Sequence, residues 1–366
     1  MTLVSRRVGA ARRTRAAAVL AAVLAAAALG LAGCVPADEG PTIAFLMPDA
    51  TTERWEHLDR PTMEHVVAQR CSTCTFRYAN AREDALAQRE QAESFLADGA
   101  DVLVLTAVDG ASALSIVAEA TSRGVPVIAY DRFLASPDVA FYVSFDPRRV
   151  GRIQGDALVA ELAARGKADG GILVVGGAAS DPNAVNNRAG LDAALAGTEH
   201  TILAEIDVPG WSPDLARDWV ADQIARVGAE NVAGVYAAND ALAAAAISAL
   251  LAAGADPLPV VTGQDAELAA VQRIVAGQQT MTVYKAIAQQ ARTAAEIAVR
   301  IARGEPPVVP TRVDGVPAVL LTPTGVGRDD VANILVGGGV LAVDDICTPT
   351  FVQACTDAGL LPRSTP

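Results

Sequence analysis

Val102-Leu103-Val104-Leu105 is an unbroken run of four apolar residues. A strand with one face in water alternates apolar and polar residues, so a continuous run reads as a parallel strand buried on both faces. Six more short runs share the pattern, and each leads into polar or charged residues. Thr42 to Met47 leads to Asp49 and then Arg54-Trp55; Val125 to Tyr130 ends in Asp131-Arg132; Ile172 to Val175 passes through Gly176-Gly177 to Asp181 and Asn183. Val232 to Ala238 ends in Asn239-Asp240, Pro259 to Gly263 in Gln264-Asp265, and Thr280 to Tyr284 in Lys285. Helical stretches separate the runs. This β-α-β-α order implies an α/β fold, a doubly wound parallel sheet covered by helices on both sides. Ligands of such sheets bind outside the carboxyl ends of the strands, so the polar run ends mark a pocket for a small polar molecule.

The units are too many for one compact sheet: four precede Asp131 and about five lie between Gly170 and Lys285. Phe141-Tyr-Val-Ser-Phe-Asp146 falls between the two sets and reads as a crossing. The stretch from Lys285 to Arg303 places Ile287, Ala291, Ala294, Ala298 and Ile301 on one helical face. It would return the chain to the first lobe, and Leu320-Leu321-Thr322-Pro323 would cross again. The expected architecture is two similar doubly wound lobes joined by a three-segment hinge, with the ligand in the cleft. Residues 42–145 plus 285–319 would form the first lobe, and 146–284 plus 320–366 the second.

The amino terminus reads as an export signal over residues 1–33. Arg6, Arg7, Arg12, Arg13 and Arg15 precede the short apolar stretch Ala16 to Leu29. Leu31-Ala32-Gly33-Cys34 then resembles a bacterial lipobox, in which the cysteine is acylated and begins the mature chain; an ordinary signal with a chance cysteine is the rival reading. Arg6-Arg7 leaves the export route open between the general and twin-arginine systems. Residues 34–41 read as a tether, so the expected location is extracytoplasmic, on the cell membrane through the lipid. Removing the five arginines takes the formal net charge from −13 to −18. A chain this acidic has no general attraction to nucleic acid. About 330 residues remain, enough for two domains.

Four cysteines are left, an even number in an exported chain. Cys71 with Cys74, and Cys347 with Cys355, read as two local disulfides. A redox dithiol would follow a strand and open a helix, whereas Cys71-Ser-Thr-Cys74 follows the helical segment Trp55 to Arg70 and precedes the strand Thr75 to Ala79. A four-cysteine zinc site is disfavoured by the spacing of the second pair. The three histidines have no ligand spacing, and no metal or cofactor is expected.

A sugar needs planar hydrogen-bonding groups around its hydroxyls and an aromatic surface for its C–H face. Arg54, Arg132, Asn183, Asn239, Asp265 and Lys285 supply the first, and Trp55 and Trp211 the second. Each has a plainer reading. Arg132 could pair with Asp131 at the surface, Asn239-Asp240 and Gln264-Asp265 could cap helices, Trp55 could be core, and Lys285 could be a surface lysine. Gly176-Gly177 lacks the spacing of a phosphate loop and reads as a tight turn.

Glu53-Arg54-Trp55, Ala129-Tyr130-Asp131-Arg132, Phe141-Tyr142-Val143-Ser144-Phe145-Asp146, Gly263-Gln264-Asp265-Ala266 and Thr280-Met281-Thr282-Val283-Tyr284-Lys285 together resemble the D-xylose-binding proteins of bacterial ABC importers. These belong to the ribose/galactose-type periplasmic binding proteins. The resemblance runs from about Thr42 to Pro323. It implies that the six polar side chains hydrogen-bond a monosaccharide, an aldopentose, and that the two tryptophans wall its ring. It also implies a monomer that binds without catalysis and hands the sugar to an ABC permease. The loop Ser180-Asp-Pro-Asn-Ala184 departs from those proteins, with Pro182 where they carry a second Asn, so pentose and hexose both stay open. A sensing domain that signals through a membrane partner would carry the same site. No nucleophile elbow or metal motif points to an enzyme.

Overall fold

A computed structural model describes residues 40–362 of the protein. The expected signal segment, Cys34 and all but the end of the tether lie outside the described residues. The strands are β1 (Thr42–Met47), β2 (Thr75–Asn80), β3 (Val102–Leu105), β4 (Val127–Tyr130), β5 (Val139–Phe145), β6 (Gly171–Gly176), β7 (Thr201–Asp207), β8 (Val232–Ala237), β9 (Val260–Val261), β10 (Met281–Tyr284), β11 (Thr311–Val313), β12 (Val316–Leu321) and β13 (Thr324–Gly327).

Seven of them form one sheet in the order β11-β12-β5-β4-β3-β1-β2, parallel except for the β11–β12 hairpin at its edge. β3 is fully buried along its length, as its unbroken apolar run requires. Val102 and Val104 pack with Ile43, Phe45, Met63 and Ala294 on one face, while Leu103 and Leu105 pack with Ala44, Leu46, Leu96 and Ile116 on the other. The helices Arg60–Arg70 and Ile287–Ala302 cover the first face, and Ala85–Ala97 and Leu114–Ser122 the second.

The second sheet runs β7-β6-β8-β9, all parallel. β10 joins its edge through a parallel bridge between Gln264 and Val283, and β13 pairs antiparallel with β10. Three helices of this lobe start with a capping side chain followed by proline at the first helical position. Asp146 accepts from Arg149 N (3.1 Å), Asp181 from Asn183 N (2.8 Å) and Ser212 from Leu215 N (3.4 Å). The proline's missing N–H is one of the helix's unpaired donors in any case, and its fixed φ suits that position. The helices Pro147–Ala164 and Pro182–Leu195 meet backbone to backbone. A Cβ on Gly151 would lie 1.9 Å from Asn187 O, and one on Gly190 would lie 2.1 Å from Arg148 O.

The chain passes between the sheets after β5, after β10 and after β12. The third crossing differs from the sequence boundary at 319. β12 continues to Leu321, with Leu320 opposite Ser144 and Leu321 opposite Phe145, so the crossing is Thr322-Pro323. The tail from Arg328 onward packs Val331, Leu335, Ile346 and Cys355 against Val271, Ile274 and Val275. The Cα atoms of Cys71 and Cys74 are 5.2 Å apart, and those of Cys347 and Cys355 are 5.8 Å apart.

Candidate functional site

The carboxyl ends of seven strands converge on one cleft. Arg54 and Trp55 follow β1, Arg132 follows β4, Asn183 follows β6, Trp211 follows β7, Asn239 follows β8, Asp265 follows β9 and Lys285 follows β10. All eight line a single cavity of about 360 Å³, counting its mouth, together with Thr52, Asp131, Asp181 and Gln264. Asp131 (φ 63°), Trp211 (φ 53°) and Asp265 (φ 101°) hold left-handed backbone conformations that side chains other than glycine avoid. Such strain persists where surrounding contacts enforce it, and it clusters at ligand sites.

In the first lobe Arg54 is the most heavily bonded group. Its Nε and Nη2 donate to the two carboxylate oxygens of Asp59 (both 2.9 Å), Nη2 also donates to Gln290 Oε1 (2.9 Å), and Nη1 donates to Asp131 Oδ1 (3.1 Å). The guanidinium lies 4.2 Å from the centre of the Trp55 ring, whose Nε1 donates to Asp49 Oδ2 (2.8 Å). Burial alone would raise the Asp131 carboxyl, but the charge of Arg54, with Lys285, the Gln290 amide and Arg132, holds it below the ordinary range. Asp59 and Gln290 carry no direct sequence signal for this role.

Arg132 is buried, and its partner is not its neighbour Asp131. Its Nη1 donates to Ala107 O (2.6 Å) and its Nε lies 2.7 Å from Asp181 Oδ2 across the cleft. The surface pair with Asp131 is therefore wrong, because Asp131 is turned toward Arg54. Asn183 donates through Nδ2 to Asp131 Oδ2 (2.9 Å), and its Oδ1 is buried with no hydrogen-bond partner among the described residues. Trp211 Nε1 is likewise buried and unpartnered.

Asn239 caps the helix Asp240–Ala252 by accepting from Leu242 N (2.9 Å), and it also lines the cavity. Asp240 is not the cap. It lies inside the helix, fully buried, and accepts from Gln279 Nε2 (2.8 Å), Thr282 Oγ1 (2.9 Å) and Glu267 N (3.1 Å). Burial, with the nearby Asp265 charge, pushes its carboxyl up to about 7. Asp265 is not a cap either: Glu267 holds the capping position of the helix Leu268–Val275 without a side-chain bond. Asp265 instead pairs with Lys285, Oδ1 to Nζ 2.8 Å, with both side chains largely buried. Trp55 is at once a core residue and a wall of the cavity. Among the described residues no His, Cys, Asp and Glu side chains gather as metal ligands.

The cleft therefore offers planar donors and acceptors from two lobes and two indole walls. It suits a small neutral molecule rich in hydroxyls. Residues 43–306 match the family model of the periplasmic binding protein domain. Over 305 residues the chain is 34% identical to the D-xylose-binding periplasmic protein of Escherichia coli (strain K12), covering 81% of this chain and 90% of that protein. It is 28% identical over 349 residues to the multiple sugar-binding periplasmic receptor ChvE of Rhizobium radiobacter, covering 88% and 98%. An ABC transporter solute binding protein from Clostridium phytofermentans, solved with bound β-D-glucose, matches with a TM-score of 0.75 at 26% identity, over 83% of this chain and 99% of that one. These relatives are binding proteins, not enzymes. With two parallel-sheet lobes around a cleft and a family match over most of its length, the chain belongs to the periplasmic binding proteins, and its fold is their type I arrangement.

Proposed function

We propose that this chain is a lipid-anchored, extracytoplasmic binding protein for a monosaccharide, D-xylose or a related aldopentose, which it delivers as a monomer to an ABC permease. The observation that carries the reading is the convergence of Arg54, Arg132, Asn183, Asn239, Asp265 and Lys285 with Trp55 and Trp211 on one cavity. The 34% identity to D-xylose-binding periplasmic proteins supports the pentose. In this reading the carboxylate of Asp265 accepts from sugar hydroxyls, Arg54, Arg132 and Lys285 donate, and the amides of Asn183 and Asn239 do both. The indoles cover the apolar faces of the ring. Function is capture and closure of the lobes about the hinge.

A thermal-shift screen of the protein against pentoses and hexoses tests this. A sugar at 100 times its dissociation constant should stabilise the fold by about 2.7 kcal/mol. We expect D-xylose to give the largest shift among the aldoses; no shift with any of them would end the proposal.

The anchor rests on Leu31-Ala32-Gly33-Cys34. Cys34→Ser is expected to move the protein from the membrane fraction to the soluble one, read by fractionation and blotting. A wild-type protein that is already soluble would count against acylation.

A further inference from the structure

Arg54 has five N–H groups, and four are committed within its own lobe. Nε–H goes to Asp59 Oδ2, the two Nη2 hydrogens to Asp59 Oδ1 and Gln290 Oε1, and one Nη1 hydrogen to Asp131 Oδ1. The Tyr130 hydroxyl lies further from Nη2, at 3.4 Å, and itself donates to Asp59. One N–H, on Nη1, is left for the cavity that Arg54 lines.

Asp59 takes two of the four bonds, and the backbone is built to put it there. Residues five apart lie roughly 140° apart around an α-helix, at 3.6 residues per turn. They would not share a face. Here Trp55–Asp59 is a π-helical turn in which Arg60 N–H bonds to Trp55 O, five residues back. That wider turn brings position 59 into line with position 54. Asp59 is fully buried, does not line the cavity and has no other charged partner at ion-pair distance among the described residues.

We propose that Asp59 is a positioning residue. It fixes the Arg54 guanidinium so that a single N–H of Nη1 faces the cleft, which selects one lone hydroxyl or ring oxygen of the ligand over a bidentate acceptor such as a carboxylate. Every member of the network, Arg54, Asp59, Tyr130, Asp131 and Gln290, belongs to the seven-stranded lobe or the helix packed on it. The setting therefore exists before the lobes close, and binding need not order an arginine. The inference rests on the sugar-site reading for its ligand but not for its geometry.

Two readouts keep these apart. In sugar-free protein labelled with ¹⁵N-arginine, the Arg54 Nε–H signal, assigned by its loss in Arg54→Lys, should be sharp and slow to exchange. In Asp59→Asn it should broaden or exchange rapidly. An unchanged signal overturns the proposal whether or not any sugar binds. By calorimetry with the best sugar of the screen, Asp59→Asn should weaken binding roughly 10- to 30-fold, the worth of the rotamer freedom an arginine must then give up. In an Arg54→Ala background the same change should add less than about twofold, because the residue acts through Arg54. An equal loss in both backgrounds would make Asp59 a structural residue only. If Asp59→Asn does not fold, Asp59→Glu keeps the buried charge but shifts the carboxylate. It should fold and still bind at least about tenfold more weakly, and wild-type affinity in that variant overturns the assignment.

Discussion

Gly177→Ala is expected to weaken sugar binding by roughly 30- to 1000-fold while leaving a folded protein, an effect of the size seen when a central tryptophan contact is lost. A Cβ at this position would lie 2.2 Å from Cζ2 and 2.3 Å from Cη2 of Trp211. Carbon atoms do not approach so closely, so the indole must move. Its own backbone gives little room, because Gly210 and Trp211 are both in the left-handed region (φ 58° and 53°) within the tight turn Pro209–Trp211. The ring must swing from its seat along the cavity wall. The added methyl should cost the fold about 1–3 kcal/mol as overpacking, visible as a lower melting temperature but short of unfolding. Calorimetry separates the explanations. If Trp211 walls the sugar, Gly177→Ala combined with Trp211→Ala should bind no worse than Trp211→Ala alone. A Gly177→Ala protein with wild-type affinity would remove Trp211 from the site.

The same glycine shows where sequence reading reaches its limit. Gly176-Gly177 was legible as a turn, because glycine after an apolar run is the usual sign of one. That Gly177 makes room for an indole about thirty residues later was not legible, since a close approach leaves no local pattern. The strand ends were legible for a physical reason: a parallel strand buried on both faces carries few polar side chains until it leaves the sheet. Arg54, Asp131, Asn239, Gln264 and Lys285, which follow β1, β4, β8, β9 and β10, accordingly line the cleft. Partners were the harder problem. Asp131 and Arg132 are adjacent, but the left-handed backbone at Asp131 sends its carboxylate to Arg54 and leaves Arg132 to Asp181 on the other lobe. Asp59 was hidden by its spacing, which fits an α-helical face poorly and becomes productive only in a π turn. Asn239 shows that two readings of one residue can both describe it, since its Oδ1 caps a helix while the residue also lines the cavity.

Asp265→Asn is expected to weaken sugar binding roughly 10- to 150-fold, because hydrogen bonds to a charged group contribute about 1.5–3 kcal/mol and about 1.4 kcal/mol is tenfold. The substitution also bears on the fold. The carboxylate is largely buried against the Lys285 ammonium at 2.8 Å, so the variant gives up a buried ion pair and should melt at a lower temperature. The loss should also depend on pH. Burial, then Asp265 itself, pushes Asp240 up to about 7; burial, then Asp240 and Asp265, pushes Glu267 up to about 8. Both folded values lie above the ordinary carboxyl values near 4. The wild-type fold therefore binds more protons than the unfolded chain, and this contribution to stability is lost as pH rises from about 4 through about 8. Removing the Asp265 charge lowers both groups toward their ordinary values and makes that decline shallower. The melting-temperature gap between wild type and Asp265→Asn should be widest near pH 5 and should narrow toward pH 8. Calorimetric titration and a pH series of melting curves test the two halves independently. An unchanged affinity would refute the ligand role of Asp265 whatever the melting curves show, and a gap that stays constant with pH would mean that Asp265 does not set the protonation of Asp240 and Glu267.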